Sequence, residues 1–200
     1  MTRLPHLFGL IVLCCAFAAA PLFAQNKVKT ETIRDPDAPA KAAKQHPATA
    51  EIIRDLARLP APVRQRREEI LAAARTGDLA KVAAIVKANQ TLISFGGDTD
   101  AAAFWKKSFP DSDGLEVLST MIEVLEMPFV HLDQGNSQEM FVWPYFHALQ
   151  LEKLTPEQRV ELFRLVTAYD FREMLKFGSY VFFRAGISPD GRWQFFVAGD

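Results

Sequence analysis

Two stretches of alternating apolar residues close the chain, Ser179 to Ile187 and Arg192 to Ala198, joined by Ser188-Pro189-Asp190-Gly191. Proline presets the φ of a turn and Gly191 can take the positive φ of a bulged type I turn, so the segment predicts a β-hairpin. Val181, Phe183, Ala185 and Ile187 fall on one face of the first strand, as Trp193, Phe195 and Val197 do on its partner. The other face carries Phe182, Arg184, Gln194 and Phe196. Large aromatic groups on both faces cannot be left to water, so the rest of the chain has to cover the hairpin from two sides. An isolated hairpin is marginal. Phe129–Leu132 and Met140–Trp143, which flank the turn-like Asp133-Gln134-Gly135-Asn136, are therefore expected to extend it into a sheet.

The residues that supply the cover read as helices. A short helix is expected over Glu51–Leu59, stopped by Pro60 and Pro62, and a second over Val63–Arg75. In the second, Val63, Ile70, Leu71 and Ala74 share a face, while Arg64, Arg66 and Arg67 form a charged stripe directed elsewhere. Gly77 is placed to end it, and Asp78 to cap a third helix with core face Leu79, Val82, Ala83 and Val86, closed by Asn89. Phe95-Gly96-Gly97 marks a loop, Ala101–Lys107 a short helix, and Leu115, Leu118, Ile122 and Leu125 an amphipathic helix limited by Pro128. Thr155-Pro156-Glu157-Gln158 has the form of a capping box with proline at the first helical position, followed by a stripe of Val160, Phe163 and Val166. Asp170 with Glu173 predicts a further cap, and Gly178 a stop. The fold class is then α+β: a helical N-terminal half packed on a small, mostly antiparallel sheet that ends in the C-terminal hairpin.

The other end of the chain sets its address. Met1-Thr2-Arg3 and the apolar run Leu7–Phe23, broken by Gly9 and Pro21, have the charged and apolar regions of a secretory signal peptide, with cleavage expected after Ala24. The run is short for a membrane span, which needs about 20 apolar residues. Removal of residues 1–24 would leave 176 of the 200 residues, a periplasmic or secreted chain with no membrane span. Both cysteines, Cys14 and Cys15, leave with the leader, which excludes disulfides, thiol catalysis and thiolate metal sites. Only Arg3 of the 23 basic residues lies there, so 22 basic stand against 24 acidic side chains and the net charge is −2. That balance gives no electrostatic reason to expect nucleic acid as a partner. Residues 25–48 are rich in Lys, Thr, Asp, Pro and Ala with almost no large apolar side chain, the composition of a flexible linker. Residues 49–200 make one domain.

The polar residues that could carry chemistry gather in one stretch. His131, Asp133, Glu139 and His147 are suitable components of a metal site or a general-base site, and His131-x-Asp133 on a strand puts both on one face. The spacing matches no standard metal motif, and no metal or cofactor is expected. Trp143-Pro144-Tyr145-Phe146 offers an aromatic platform for a sugar ring, a peptide or a partner protein, or else core packing. Gly-x-Ser-x-Gly, Ser-x-x-Lys and the phosphate-binding loop are absent. Asp111 and Asp113 open like a calcium loop, but the twelfth position is Ile122 where glutamate is required.

Several stretches resemble known families. Residues 67–89 are similar to one ankyrin helix pair, without its Thr-Pro-Leu-His element and without a repeat, which implies a helical hairpin. Glu139 to Phe146, Leu154 to Gln158, and Asp190-Gly191-Arg192-Trp193 through Asp200 resemble a family of small secreted bacterial proteins of unknown function. That resemblance runs from about Leu59 to Asp200 and implies export and a single domain. The Asp190-Gly191-Arg192-Trp193 tail also looks like the last strand of cone-shaped pocket proteins of the nuclear-transport-factor-2 type.

Three functions follow as expectations. The first is an exported, non-catalytic binding domain for a protein, peptide or cell-wall partner, with Trp143, Tyr145, Phe146 and His131 as contact residues. The second is a small periplasmic hydrolase or metal-dependent enzyme using His131, Asp133, Glu139 and His147. The third is a carrier with an apolar cavity lined by Phe182, Phe196 or Trp193.

Overall fold

A computed structural model describes residues 50–94 and 100–199. The expected leader (residues 1–24), the expected linker (residues 25–48) and the expected loop at Phe95-Gly96-Gly97 lie outside the described residues. Among the described residues six α-helices and five strands follow one another as α1 (Ala61–Arg75), α2 (Leu79–Asn89), β1 (Leu92–Ile93), α3 (Ala101–Ser108), α4 (Leu115–Glu126), β2 (Val130–Leu132), β3 (Met140–Trp143), α5 (Pro156–Leu162), α6 (Ala168–Phe177), β4 (Arg184–Ile187) and β5 (Trp193–Val197). The sheet order is β1-β5-β4-β3-β2, with every pairing antiparallel except β1 with β5. The fold class is α+β. No helix among the described residues is long and apolar enough to cross a membrane.

Period-two alternation divides the sheet between two cores. Phe141 and Trp143 of β3, Ala185 and Ile187 of β4 and Phe196 of β5 face the buried sides of α1–α4. Val130, Val142 and Phe195 face the opposite way, toward Leu162, Val166, Met174 and the chain between Tyr145 and Leu154. The cover that the hairpin's two apolar faces demand thus comes from four early helices on one side and α5–α6 on the other.

The hairpin turn forms as the sequence predicts. The Gly191 N–H donates to the Ser188 carbonyl at 2.8 Å, and Gly191 has φ +86°. The strands are shorter than their apolar pattern, because β4 begins at Arg184 and residues 179–183 are not strand. Trp193 and Phe195 do not share a face. Ile187 pairs with Trp193 and Gly186 with Phe195, so Gln194 is an extra residue, a β-bulge that turns Trp193 to the same side as Phe196. Both are buried there.

The helices depart from their predicted faces where tertiary packing overrides periodicity. Pro60 and Pro62 open α1 and do not merely stop what precedes it; proline is tolerated in a first turn, where the N–H has no helical partner. Before it, the expected helix over 51–59 is an antiparallel bridge between Ile53 and Phe129 and one 3-10 turn, Leu56–Arg58. Arg67 is buried, and its Nε–H donates to the Leu125 carbonyl at 2.9 Å, satisfying a last-turn oxygen of α4. It belongs to the α1–α4 interface and not to a solvated stripe. In α4 the buried residues are Val117, Leu118, Met121, Val124 and Leu125, while Leu115 is half exposed. In α5 the capping box of Thr155 and Gln158 is complete, but the buried residue is Leu162; Val160 and Phe163 are exposed and Val166 is buried beyond the helix end. The cap of α6 is Thr167, with Asp170 as its reciprocal partner three residues on. Strand β1 is too short to carry an alternating pattern.

Asn89 and Ser94 bracket β1 and lock the hairpin to the early helices. The Asn89 side chain accepts the Trp193 N–H at 3.1 Å and donates to the Ile85 carbonyl at 2.8 Å. Ser94 Oγ both donates to the Ala198 carbonyl and accepts the Ala198 N–H.

Candidate functional site

Strand β2 and the loop after it hold the polar residues at one edge of the sheet. His131 sits opposite Phe141 in the register, and its ring stacks on that phenyl at 4.1 Å and 15°. Its Nε2 lies 2.6 Å from Glu139 Oε1, and the Gly135 N–H donates to Glu139 Oε2 at 3.0 Å. Asp133 and Gly135 take positive φ, +53° and +79°, which is how the loop doubles back and brings Glu139 alongside the imidazole. The Gly135 N–H, then the imidazole, holds the Glu139 carboxyl below the ordinary glutamate range. In the neutral tautomer that gives its Nε2–H to Glu139, Nδ1 is the acceptor the ring has left.

Beside this pair a cleft of about 350 Å³ opens. Ala50, Glu51 and Ile53 form one wall, and residues 131–134 the other. The cleft exists because residues 50–53 pair with the sheet at a single point. Ile53 N–H donates to Phe129 O at 2.8 Å and Phe129 N–H to Ile53 O at 3.0 Å. Past that bridge the two segments part.

His131, Asp133 and Glu139 are thus collected around one loop, and His147 is not part of a four-group centre. It lies on the 3-10 turn Tyr145–Ala148 that follows β3. Among the described residues no three His, Cys, Asp or Glu side chains are grouped so as to hold a metal ion.

The aromatic platform requires correction. Trp143, Tyr145 and Phe146 are each 0 % exposed, so they present no contact surface. Phe129 packs on Trp143 at 5.1 Å and Tyr145 on Phe146 at 4.1 Å. The Trp143–Pro144 peptide is cis, and the two sides of the bond feed different cores. Burying an aromatic side chain of this size stabilises by about 1.5–3 kcal/mol, which is why such a dense aromatic run goes inside. The phenol of Tyr145 donates to Glu161 Oε2 at 2.7 Å, and Arg54 grips the same carboxylate at 2.6 and 3.2 Å. Burial pushes the Tyr145 phenol well above its usual value, while Arg54 and the phenol hold Glu161 down. This network straps the wall of the cleft, through Arg54, to α5. It spans 107 positions of sequence, and no local motif announces it.

The carrier expectation meets a smaller space. An apolar cleft of about 180 Å³ is lined by Phe196 with Phe104, Phe109 and Phe183, and not by Phe182 or Trp193. Glu51, Ile53 and Gln134 are the site residues that sequence reasoning missed. The helix expected over 51–59 hid the first two, and the third is one of many polar loop residues.

The chain was compared with protein-family models, curated proteins and solved structures, and it matches none of them.

Proposed function

We propose that the chain is an exported, non-catalytic binding domain for a protein or peptide partner, and that the cleft beside His131 is its contact site. One observation carries this reading: the cleft is an open space at a sheet edge whose walls hold an oriented imidazole, two carboxylates and unpaired backbone. Such a convergence of a few placed polar groups on a concavity is the usual form of a recognition site. The exported address rests on the leader of residues 1–24 and the linker of residues 25–48. Its test is the mass of the chain recovered from the exported fraction, expected to begin at Gln25. The contact site is tested by titrating the protein with a peptide library while following the His131 ring and amide by NMR. Shifts confined to residues 50–53 and 131–134, weakened by His131→Ala, would support it. Shifts elsewhere would remove it.

A second reading, a small hydrolase, is favoured by the 2.6 Å contact of His131 with Glu139. A carboxylate that orients an imidazole leaves Nδ1 able to take a proton from water. Turnover of an ester or amide panel that falls a hundredfold or more in Glu139→Gln would establish this reading over the first.

A further inference from the structure

Three features compete for a further role: the exposed apolar side chains of α5 and α6, the small cleft at Phe196, and the outer edge of β2. Nothing in the structure indicates what would cover the first two. The edge of β2 carries more.

Successive residues of a strand turn their N–H and C=O groups to alternate sides. Phe129 turns both outward, because it exchanges both hydrogen bonds with Ile53. His131, two residues on, therefore turns its own N–H and C=O to the same outer side, into the cleft. Among the described residues its N–H meets no partner, and its C=O receives only the Gln134 side-chain amide at a long 3.4 Å. The ladder that Ile53 begins on the β2 edge stops after one step, with the next rung open. Open rungs of this kind are what an added strand completes.

The walls also carry carboxylates. Among the described residues Glu51 and Asp133 line the cleft, and no lysine or arginine does. Glu51 is held by Arg58 at 2.5 and 2.9 Å. The Asp133 carboxylate makes no hydrogen bond or ion pair among the described residues.

We propose that the β2 edge takes an extended peptide segment bearing a lysine or arginine: the segment's backbone pairs with the outward N–H and C=O of His131, and its basic side chain meets Asp133. This deepens the binding-domain reading and rests on it. The backbone bonds supply affinity and the carboxylate supplies selection.

The test uses the full chain and acetylated, amidated heptapeptides with a central Lys, Glu or Ala, read by fluorescence polarisation and by the exchange rate of the His131 amide. The Lys peptide is expected to bind tightest and to slow His131 amide exchange at least tenfold. One N-methyl group on the peptide backbone at the pairing residue should abolish that protection. Asp133→Asn should weaken the Lys peptide about two- to fivefold, the scale of an exposed charge pair, leave the Ala peptide unchanged and leave the melting temperature in place. Tighter binding of the Glu peptide, or of the N-methylated peptide, or no loss in Asp133→Asn, would overturn the proposal while leaving a binding domain of another specificity. If no peptide of any charge moves the signals of residues 131–134, both this proposal and the binding reading fail.

Discussion

Replacing Asn89 with alanine tests the joint between the early helices and the late strands. Asn89 is 5 % exposed and is the last residue of α2. Its Oδ1 is the acceptor for the buried Trp193 N–H at 3.1 Å. Alanine leaves that donor without a partner and out of reach of water, at a cost of about 1–3 kcal/mol. The same change recovers up to about 0.7 kcal/mol of helix propensity. The loss of the Nδ2 bond to the Ile85 carbonyl adds little, since that oxygen already lies within the helix ladder. The expected net loss is about 1–2 kcal/mol. For a chain of this size each kcal/mol moves the midpoint by about 2–4 °C, so Tm should fall by about 2–8 °C in a circular-dichroism melt at 222 nm. Native-state hydrogen exchange locates the effect: the Trp193 amide should lose more protection than the average core amide. A variant that melts with the parent chain and keeps its Trp193 protection would refute the idea that this side chain fastens β5 to α2.

Other perturbations probe other joints. A Cβ on Gly186 would lie 2.3 Å from the Phe195 ring, so Gly186→Ala should destabilise by about 1–3 kcal/mol in urea unfolding, with most of that loss relieved when Phe195→Ala is added. Arg67→Ala removes the donor to the Leu125 carbonyl and the buried stem of the side chain, and should cost about 2–3 kcal/mol, measured the same way. Glu139 has a folded-state pKa below its unfolded value. Its contribution is therefore complete above the unfolded glutamate pKa and is lost as pH falls through the folded one. A carboxyl NMR titration should find it still ionised where ordinary glutamates are half protonated, and Glu139→Gln should flatten that acid limb of stability. Burial raises the phenols of Tyr145 and Tyr180, so two of the three tyrosines should stay neutral in an alkaline absorbance titration until the protein unfolds.

What the sequence revealed and what it hid divide by range. Local signals were legible because their physics is local. The turn at Gly191, the caps at Asp78 and Thr155, and the stop at Gly178 each depend on a few neighbouring residues. Features that depend on partners far along the chain were not. In α4, apolar residues occur on more than one side, so periodicity admitted a stripe through Leu115, whereas contact with α1 selected Val117 and Met121. Arg67 looked like its charged neighbours because nothing local records that the α4 carbonyl it serves is 58 positions away. The candidate site was half legible. The pair His131 and Glu139 stands out by residue type, and Asp133-Gln134-Gly135-Asn136 between them has the composition of a turn. The aromatic run at Trp143 stood out equally, but exposure is a property of the assembled cores, and those enclosed it. The far wall of the cleft, Glu51 and Ile53, could not be read without the bridge to Phe129.

Strand β5 lies between β1 and β4. The place beside β1 is therefore filled by residues that leave the ribosome about a hundred positions later; Asn89 and Trp193 are 104 apart. Until those residues arrive, α1–α4 have the Trp193 and Phe196 portion of their floor missing, and β1 has no neighbour at all. The order of synthesis thus runs against the order of completion. The tail acts as a keystone, and shortening it would leave the preceding arch unclosed.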